Sequence, residues 1–140
     1  MKTRIALTIA LLVIVPMFTS SAKAQEQMLF RVNIPFEFVA GGAHLSAGDY
    51  IAFHASPSII QLVREDGRAS AWAAVKASPV MAGGTNNQLI FNKYGDSYFL
   101  AKVQTGGDQQ LHECFRCRAE QTLAARSLAT GAQTVTIAAK

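Results

Sequence analysis

The chain has 140 residues, half of them hydrophobic, with 13 Lys and Arg against nine Asp and Glu. Three of the cations, Lys2, Arg4 and Lys23, fall in the first 24 residues with no acid among them, so residues 25–140 carry ten cations against nine acids. That near balance, without any cluster of Lys or Arg interleaved with aromatics, argues against a nucleic-acid surface, and two cysteines are too few for a disulfide scaffold.

The opening residues read as an address. Lys2 and Arg4 precede the uncharged apolar run Ile5 to Val15, Pro16 ends it, and Ala22-Lys23-Ala24 follows. Small residues at the first and third positions before a cut, after a positive start and a short apolar run, predict a secretory signal peptide over 1–24, cleaved between Ala24 and Gln25. The apolar run is too short to span a membrane, which takes about 20 residues. No later stretch is longer. The expected product is a periplasmic or extracellular chain of one domain, residues 25–140, and not an integral membrane protein after cleavage.

The domain begins with strict alternation. Phe30, Val32, Ile34, Phe36 and Phe38 fall on one face, and Arg31, Asn33, Pro35, Glu37 and Val39 on the other. This predicts a long half-buried strand, with Pro35 demanding an edge or a bulge because it has no N–H to donate. Gly41-Gly42 permits a turn. Tyr50 to Ala55 then runs extended until Ser56-Pro57-Ser58. Ile59 to Arg64 and Ala69 to Lys76 flank Asp66-Gly67, a hairpin signal. The clearest hairpin joins Gln88 to Tyr94 and Ser97 to Gln104 through Gly95-Asp96. A two-residue loop there sets Phe91 opposite Leu100 and Asn92 opposite Phe99, but both faces are mixed in polarity, so the buried one stays open.

After Thr105-Gly106-Gly107 the period changes. Phe115, Ala119 and Leu123 share a helical spacing, Glu120 lies where a capping-box acid would, and Gly131 is a plausible stop. These predict a helix over about Arg118 to Ala129. Thr134 to Ala138 closes the chain as a strand. Short strands with one late helix predict a mainly β fold, an antiparallel β-sandwich or small barrel with one short C-terminal helix.

Five segments occur in an order that is similar to a known pattern: VNIPFEFVAGG (32–42), LSAGDYIAF (45–53), EDGRASA (65–71), LIFNKYGDSYFLAKV (89–103) and CRAEQTLA (117–124). They resemble an uncharacterised family of short secreted bacterial β-rich proteins. Its members show V-x-(I/V)-P-F-x-F, L-P-A-G-x-Y and F-x-(R/K)-Y-G-D-x-Y-F-L motifs and a late L-P-x-S-(K/R)-x-E-x-x-L-A. The resemblance covers nearly all of residues 29–138. It implies a secreted β-rich domain with a C-terminal helix, and brings no activity, substrate or cofactor with it. Ser46 departs from the family's proline. Cys117 stands at the family's serine before the helix, and Cys114 and Phe115 at its leucine and proline. Sulfur accepts hydrogen bonds less well than a serine hydroxyl, so the cap at Cys117 is expected to be weak.

Several constellations carry chemistry on paper. Cys114 and Cys117 could form a disulfide in an oxidising compartment, or work as a redox pair, with Arg116 and Arg118 nearby to favour a thiolate. A thioredoxin-like site, however, sets its first cysteine at the helix start, and here the second falls there. His112, Cys114 and Cys117 form a His-x-Cys-x-x-Cys run suited to zinc or copper(I), with no evident fourth ligand. No nucleophile-elbow motif and no phosphate-binding glycine loop is present. Trp72, Tyr50, Tyr94 and Tyr98 could form a binding platform, with Tyr94 and Tyr98 at the hairpin tip as the expected exposed pair, although strand aromatics usually pack in the core. The reading that follows is a secreted or periplasmic, non-enzymatic β-domain without a cofactor, structural or binding in the cell envelope, with a protein or glycan partner. The alternative is a thiol-based metal-binding or redox accessory protein using His112, Cys114 and Cys117.

Overall fold

A computed structural model describes residues 26–79, 85–107, 110–127 and 131–140; the expected signal peptide over 1–24 and its expected cleavage junction, Ala24 and Gln25, lie outside the described residues. The strands are β1 (Gln27–Ile34), β2 (Phe38–Ala40), β3 (Ala43–Leu45), β4 (Gly48–Ser56), β5 (Ile59–Arg64), β6 (Ser70–Pro79), β7 (Gln88–Tyr94), β8 (Ser97–Thr105), β9 (Gln110–Cys114) and β10 (Gln133–Ala138). The helix α1 (Arg118–Arg126) falls between β9 and β10. The fold is mainly β and sandwich-like, as the alternating pattern predicts.

The first sheet runs β1-β4-β5-β6, antiparallel throughout. Strand β6 then changes layers. Ser70–Ala74 pairs with β5, whereas Val75–Pro79 pairs with β9 in the second sheet. That sheet continues β9-β8-β7-β10, again antiparallel. The small hairpin β2–β3 joins it through one parallel contact, Val39 beside Phe99, so the sheet is mixed. The sheet stays open, but at one point Lys140 N donates to Arg31 O at 3.2 Å, bringing the chain beyond β10 against β1.

Inward-facing residues at every second position make the core: Phe30, Val32 and Ile34 from β1, Tyr50 and Ala52 from β4, Ile60 and Leu62 from β5, Ala71, Ala73 and Val75 from β6. Leu89 and Phe91 from β7 and Leu100 and Val103 from β8 meet them from the other layer. Phe91 anchors the aromatic contacts, edge-on to Phe36 at 5.2 Å and to Phe38 at 5.4 Å. Each large side chain so buried stabilises the fold by roughly 1.5–3 kcal/mol.

Three expectations need correction. The long first strand is two, because β1 stops at Ile34 and the chain leaves the ladder at Pro35 before β2 begins. Phe36 is only half-buried and stacks on Tyr98, with ring centroids 3.9 Å apart. Strand β9 is a second departure: the change of period after Gly107 hid a central strand, flanked by β6 and β8, whose inward positions are His112 and Cys114 rather than aliphatic residues. Third, the helix ends at Arg126, about one turn early, with Ser127 as its C-cap. Gly131, at φ +69, donates its N–H back to Ser127 O at 2.9 Å. The main hairpin keeps its expected register, Phe91 opposite Leu100 and Asn92 opposite Phe99, with a bulge next to Ile90 and Phe91.

Candidate functional site

The outward face of the first sheet carries a row of side chains set by register alone. Met28 pairs with Phe53, Phe53 with Gln61, and Gln61 with Trp72, across β1, β4, β5 and β6. Partners directly opposite share a face, so these four residues lie side by side, perpendicular to the strands. Inward alanines at 71 and 73 fix the parity of β6, which forces Trp72 outward. Trp72 is 52% exposed and Met28 48%, while Phe53 and Gln61 between them are half-buried. Ile51 and Val63 continue the apolar surface on one side of the row, and Ile59 and Ala74 on the other.

The charges on this face keep to its rim. Arg31 pairs with Glu65 at 3.3 Å, and Asn33 Nδ2 donates to Asp49 Oδ1 at 2.8 Å. In the middle of the row Gln61 Oε1 is buried with no hydrogen-bond partner among the described residues. A buried acceptor left unpaired costs about 1–3 kcal/mol, so it is an exception that asks for a donor. The backbone beneath Trp72 is held from behind. Gly41, at φ +57 in the β2–β3 turn, packs so closely that a Cβ there would stand 1.8 Å from the Trp72 carbonyl oxygen.

The outward face of the second sheet is organised differently. The helix α1 covers its upper part, where Val39, Tyr94 and Phe99 form a second apolar cluster with Cys117, Leu123 and Ala124. Glu120, on the covered side, is only 2% exposed. Its Oε1 accepts from Asn92 Nδ2 at 2.8 Å and from the Tyr94 hydroxyl at 3.5 Å, and Arg116 Nε lies 3.8 Å away. Glu120 therefore serves the tertiary fold rather than a capping box, and the N-cap Cys117 makes no side-chain cap bond, as its weak acceptor predicts. Burial, and next the Glu120 charge, push the Tyr94 phenol above its ordinary value. Beside the helix start lies a groove of about 610 Å³ lined by Lys76, Lys102, Glu113, Cys114 and Arg116, with Phe115, 62% exposed, at its lip. Glu113 bridges Lys76 at 3.0 Å and Lys102 at 3.6 Å, and the Lys76 hydrogen bond and charge hold its carboxyl below the ordinary range.

The residues singled out in the sequence are scattered by this arrangement. Cys114 and Cys117 are both free thiols, so the disulfide that their spacing allows is not formed. The reason is local: Cys114 packs against the main core from the end of β9, and Cys117 against the separate cluster under α1. Burial, reinforced by Glu120, pushes the Cys114 thiol up to about 12, the opposite of what a redox nucleophile needs. Among the described residues no three His, Cys, Asp or Glu side chains could hold a metal ion together, so His112, Cys114 and Cys117 are not gathered into one ligand set. His112 turns inward instead, its ring 5.2 Å from that of His54. The expected aromatic platform also separates. Tyr50 and Tyr94 are buried, and Tyr98 is half-buried against Phe36 with the Lys93 ammonium 5.3 Å over its ring. Only Trp72 keeps a broad exposed surface, and its neighbours are Gln61, Phe53 and Met28, which the sequence reading did not single out. The signal was present in the antiphase of Phe53 to Tyr50 and Ala52, and of Gln61 to Ile60 and Leu62.

Among the described residues no helix is long and apolar enough to cross a membrane. A scan against protein-family models finds no match to the chain, and searches of curated proteins and of solved structures find none either.

Proposed function

We propose that the chain is an exported, non-enzymatic β-domain that binds a partner in the cell envelope through the outward face of its first sheet. The observation that carries this reading is Trp72, half-exposed and held in register with Gln61, Phe53 and Met28. A large aromatic kept in water beside other apolar side chains is the usual anchor of a binding surface. The leader-like residues 1–24 support export. Glu113 and Glu120 are committed to Lys76, Lys102, Asn92 and Arg116, which favours structural over catalytic work for them. The thiol-based alternative has less support, since the Cys114 thiol is pushed up and Cys117 packs elsewhere.

The test is expression of the full chain in a Gram-negative host, with fractionation, N-terminal sequencing and retention on washed envelopes. The expected result is a product starting at Gln25, retained by envelopes, with retention lost in Trp72→Ala. An uncleaved cytoplasmic product, or equal behaviour of wild type and Trp72→Ala, overturns the proposal.

A further inference from the structure

We infer that the row Trp72–Gln61–Phe53 binds a neutral β-1,4-linked glycan strand laid across the first sheet, perpendicular to its strands. This rests on the binding role proposed above for the same face, and gives it a ligand class.

Spacing is the first argument. Trp72 and Phe53 lie two strands apart in exact register, with Gln61 between them. Neighbouring strands are about 4.8 Å apart, a distance close to the rise per sugar in an extended β-1,4-linked chain. Trp72 and Phe53 therefore meet every second sugar of such a strand, and Gln61 meets the sugar between. Alternate pyranose units turn their apolar C–H faces the same way, and an aromatic ring on each second unit stacks on them. Met28, one strand further on, extends the contact to the next unit.

Chemical complementarity is the second. The row holds no ionisable group, and the adjoining charges keep to the rim, where Arg31 pairs with Glu65 and Asp49 accepts a hydrogen bond from the Asn33 amide. A neutral occupant fits this pattern better than an acidic or basic one. Gln61 Oε1, buried without a partner among the described residues, wants a donor, and sugar hydroxyls and amides are donors. The last torsion of glutamine is broad, so the amide can turn that oxygen toward the ligand. Adjacent strands of a sheet rotate by about 20–25°, so the row forms a twisted ledge suited to a single strand rather than to a flat crystalline surface.

Trp72 is the only tryptophan of the chain, so its emission reports on this face directly. The experiment titrates the processed protein with N-acetylchitohexaose, and with maltohexaose, an α-1,4-linked hexamer of curved shape, as comparison. A saturable blue shift with the first sugar is expected, and binding of maltohexaose weaker by about tenfold or more. Calorimetry on Trp72→Ala, and on Phe53→Leu, which keeps apolar bulk where Phe53→Ala could unfold, is expected to give a loss of about tenfold or more in each. No shift at millimolar hexaose, equal affinity for maltohexaose, or variants that bind as wild type does overturns the inference. Trp72-dependent retention on envelopes without binding of the hexaose overturns the glycan assignment alone and leaves the binding face standing. A dimer sealed through Trp72, seen by sedimentation and lost in Trp72→Ala, also overturns it.

Discussion

Asn92 and Glu120 are joined by a 2.8 Å hydrogen bond from the Asn92 amide to the Glu120 carboxylate, which ties the main hairpin to the only helix among the described residues. The carboxylate is nearly sealed from water, so each donor around it matters more than a surface contact does. Asn92→Ala is expected to lower unfolding stability by about 1–3 kcal/mol, the range for stranding a buried partner. In a denaturant double-mutant cycle, adding Glu120→Ala to that variant costs less than the same change in wild type.

Gly41 and Gly42 make a matched pair for testing the contact behind Trp72. Both have left-handed backbone, at φ +57 and +88, but a Cβ at Gly42 meets nothing within 4 Å, whereas one at Gly41 collides with the Trp72 carbonyl. Gly42→Ala should cost about 1–2 kcal/mol, the backbone term alone. Gly41→Ala should cost about 3–4 kcal/mol or more, since the colliding atoms are backbone. Thermal unfolding of the two variants side by side measures the difference.

The two thiols should differ in reactivity. With its thiol pushed up to about 12, Cys114 stays protonated at pH 8 and resists a disulfide reagent in the folded protein. The thiol count by that reagent is then unchanged in Cys114→Ser under native conditions, and falls by one only after denaturation. Fast native labelling of Cys114, read by peptide mass, would contradict the packing described.

Helix α1 begins without a side-chain cap at Cys117. Cys117→Ser supplies an oxygen acceptor on a slightly smaller side chain and should stabilise the protein by about 0.5–1 kcal/mol. The measurement is the shift of the denaturation midpoint with unchanged slope.

Glu113 gives a pH dependence whose sign is fixed by its lowered folded-state value. The stability it contributes is fully present above its ordinary value of 4.5, and is lost as the pH falls through the lower folded value. Its lysine partners are 62% and 41% exposed, so the pairs together are worth no more than about 1 kcal/mol. Glu113→Gln should be less stable than wild type at pH 7, and the gap should close toward about pH 2, where both side chains are uncharged.

How much of this was legible in the sequence depends on where polarity alternates cleanly. Ile59–Arg64 and Gln88–Tyr94 read correctly to the residue, because turn chemistry at Asp66-Gly67 and Gly95-Asp96 pins the end at which each strand enters its hairpin turn. Strand β9 was hidden because His112 takes an inward position that an aliphatic side chain would have announced. The second cluster was hidden because Tyr94 and Phe99 face away from the main core, and only the arrival of α1 makes that side buried. The exposed row was half-visible: Trp72 stood out by type, while its neighbours depend on register between strands that are distant in sequence. The cysteines drew attention by rarity, yet their surroundings leave them as packing groups.

Strand β6 enters one layer beside β5 and leaves in the other beside β9, so Trp72 and Lys76 front different sides of the molecule on one unbroken backbone. Tension applied at Trp72 would pass along covalent bonds into the opposite layer, without relying on side chains sliding past one another. A cut within 70–79 is expected to weaken both layers at once. A smaller working fragment should therefore not be obtainable by trimming either half.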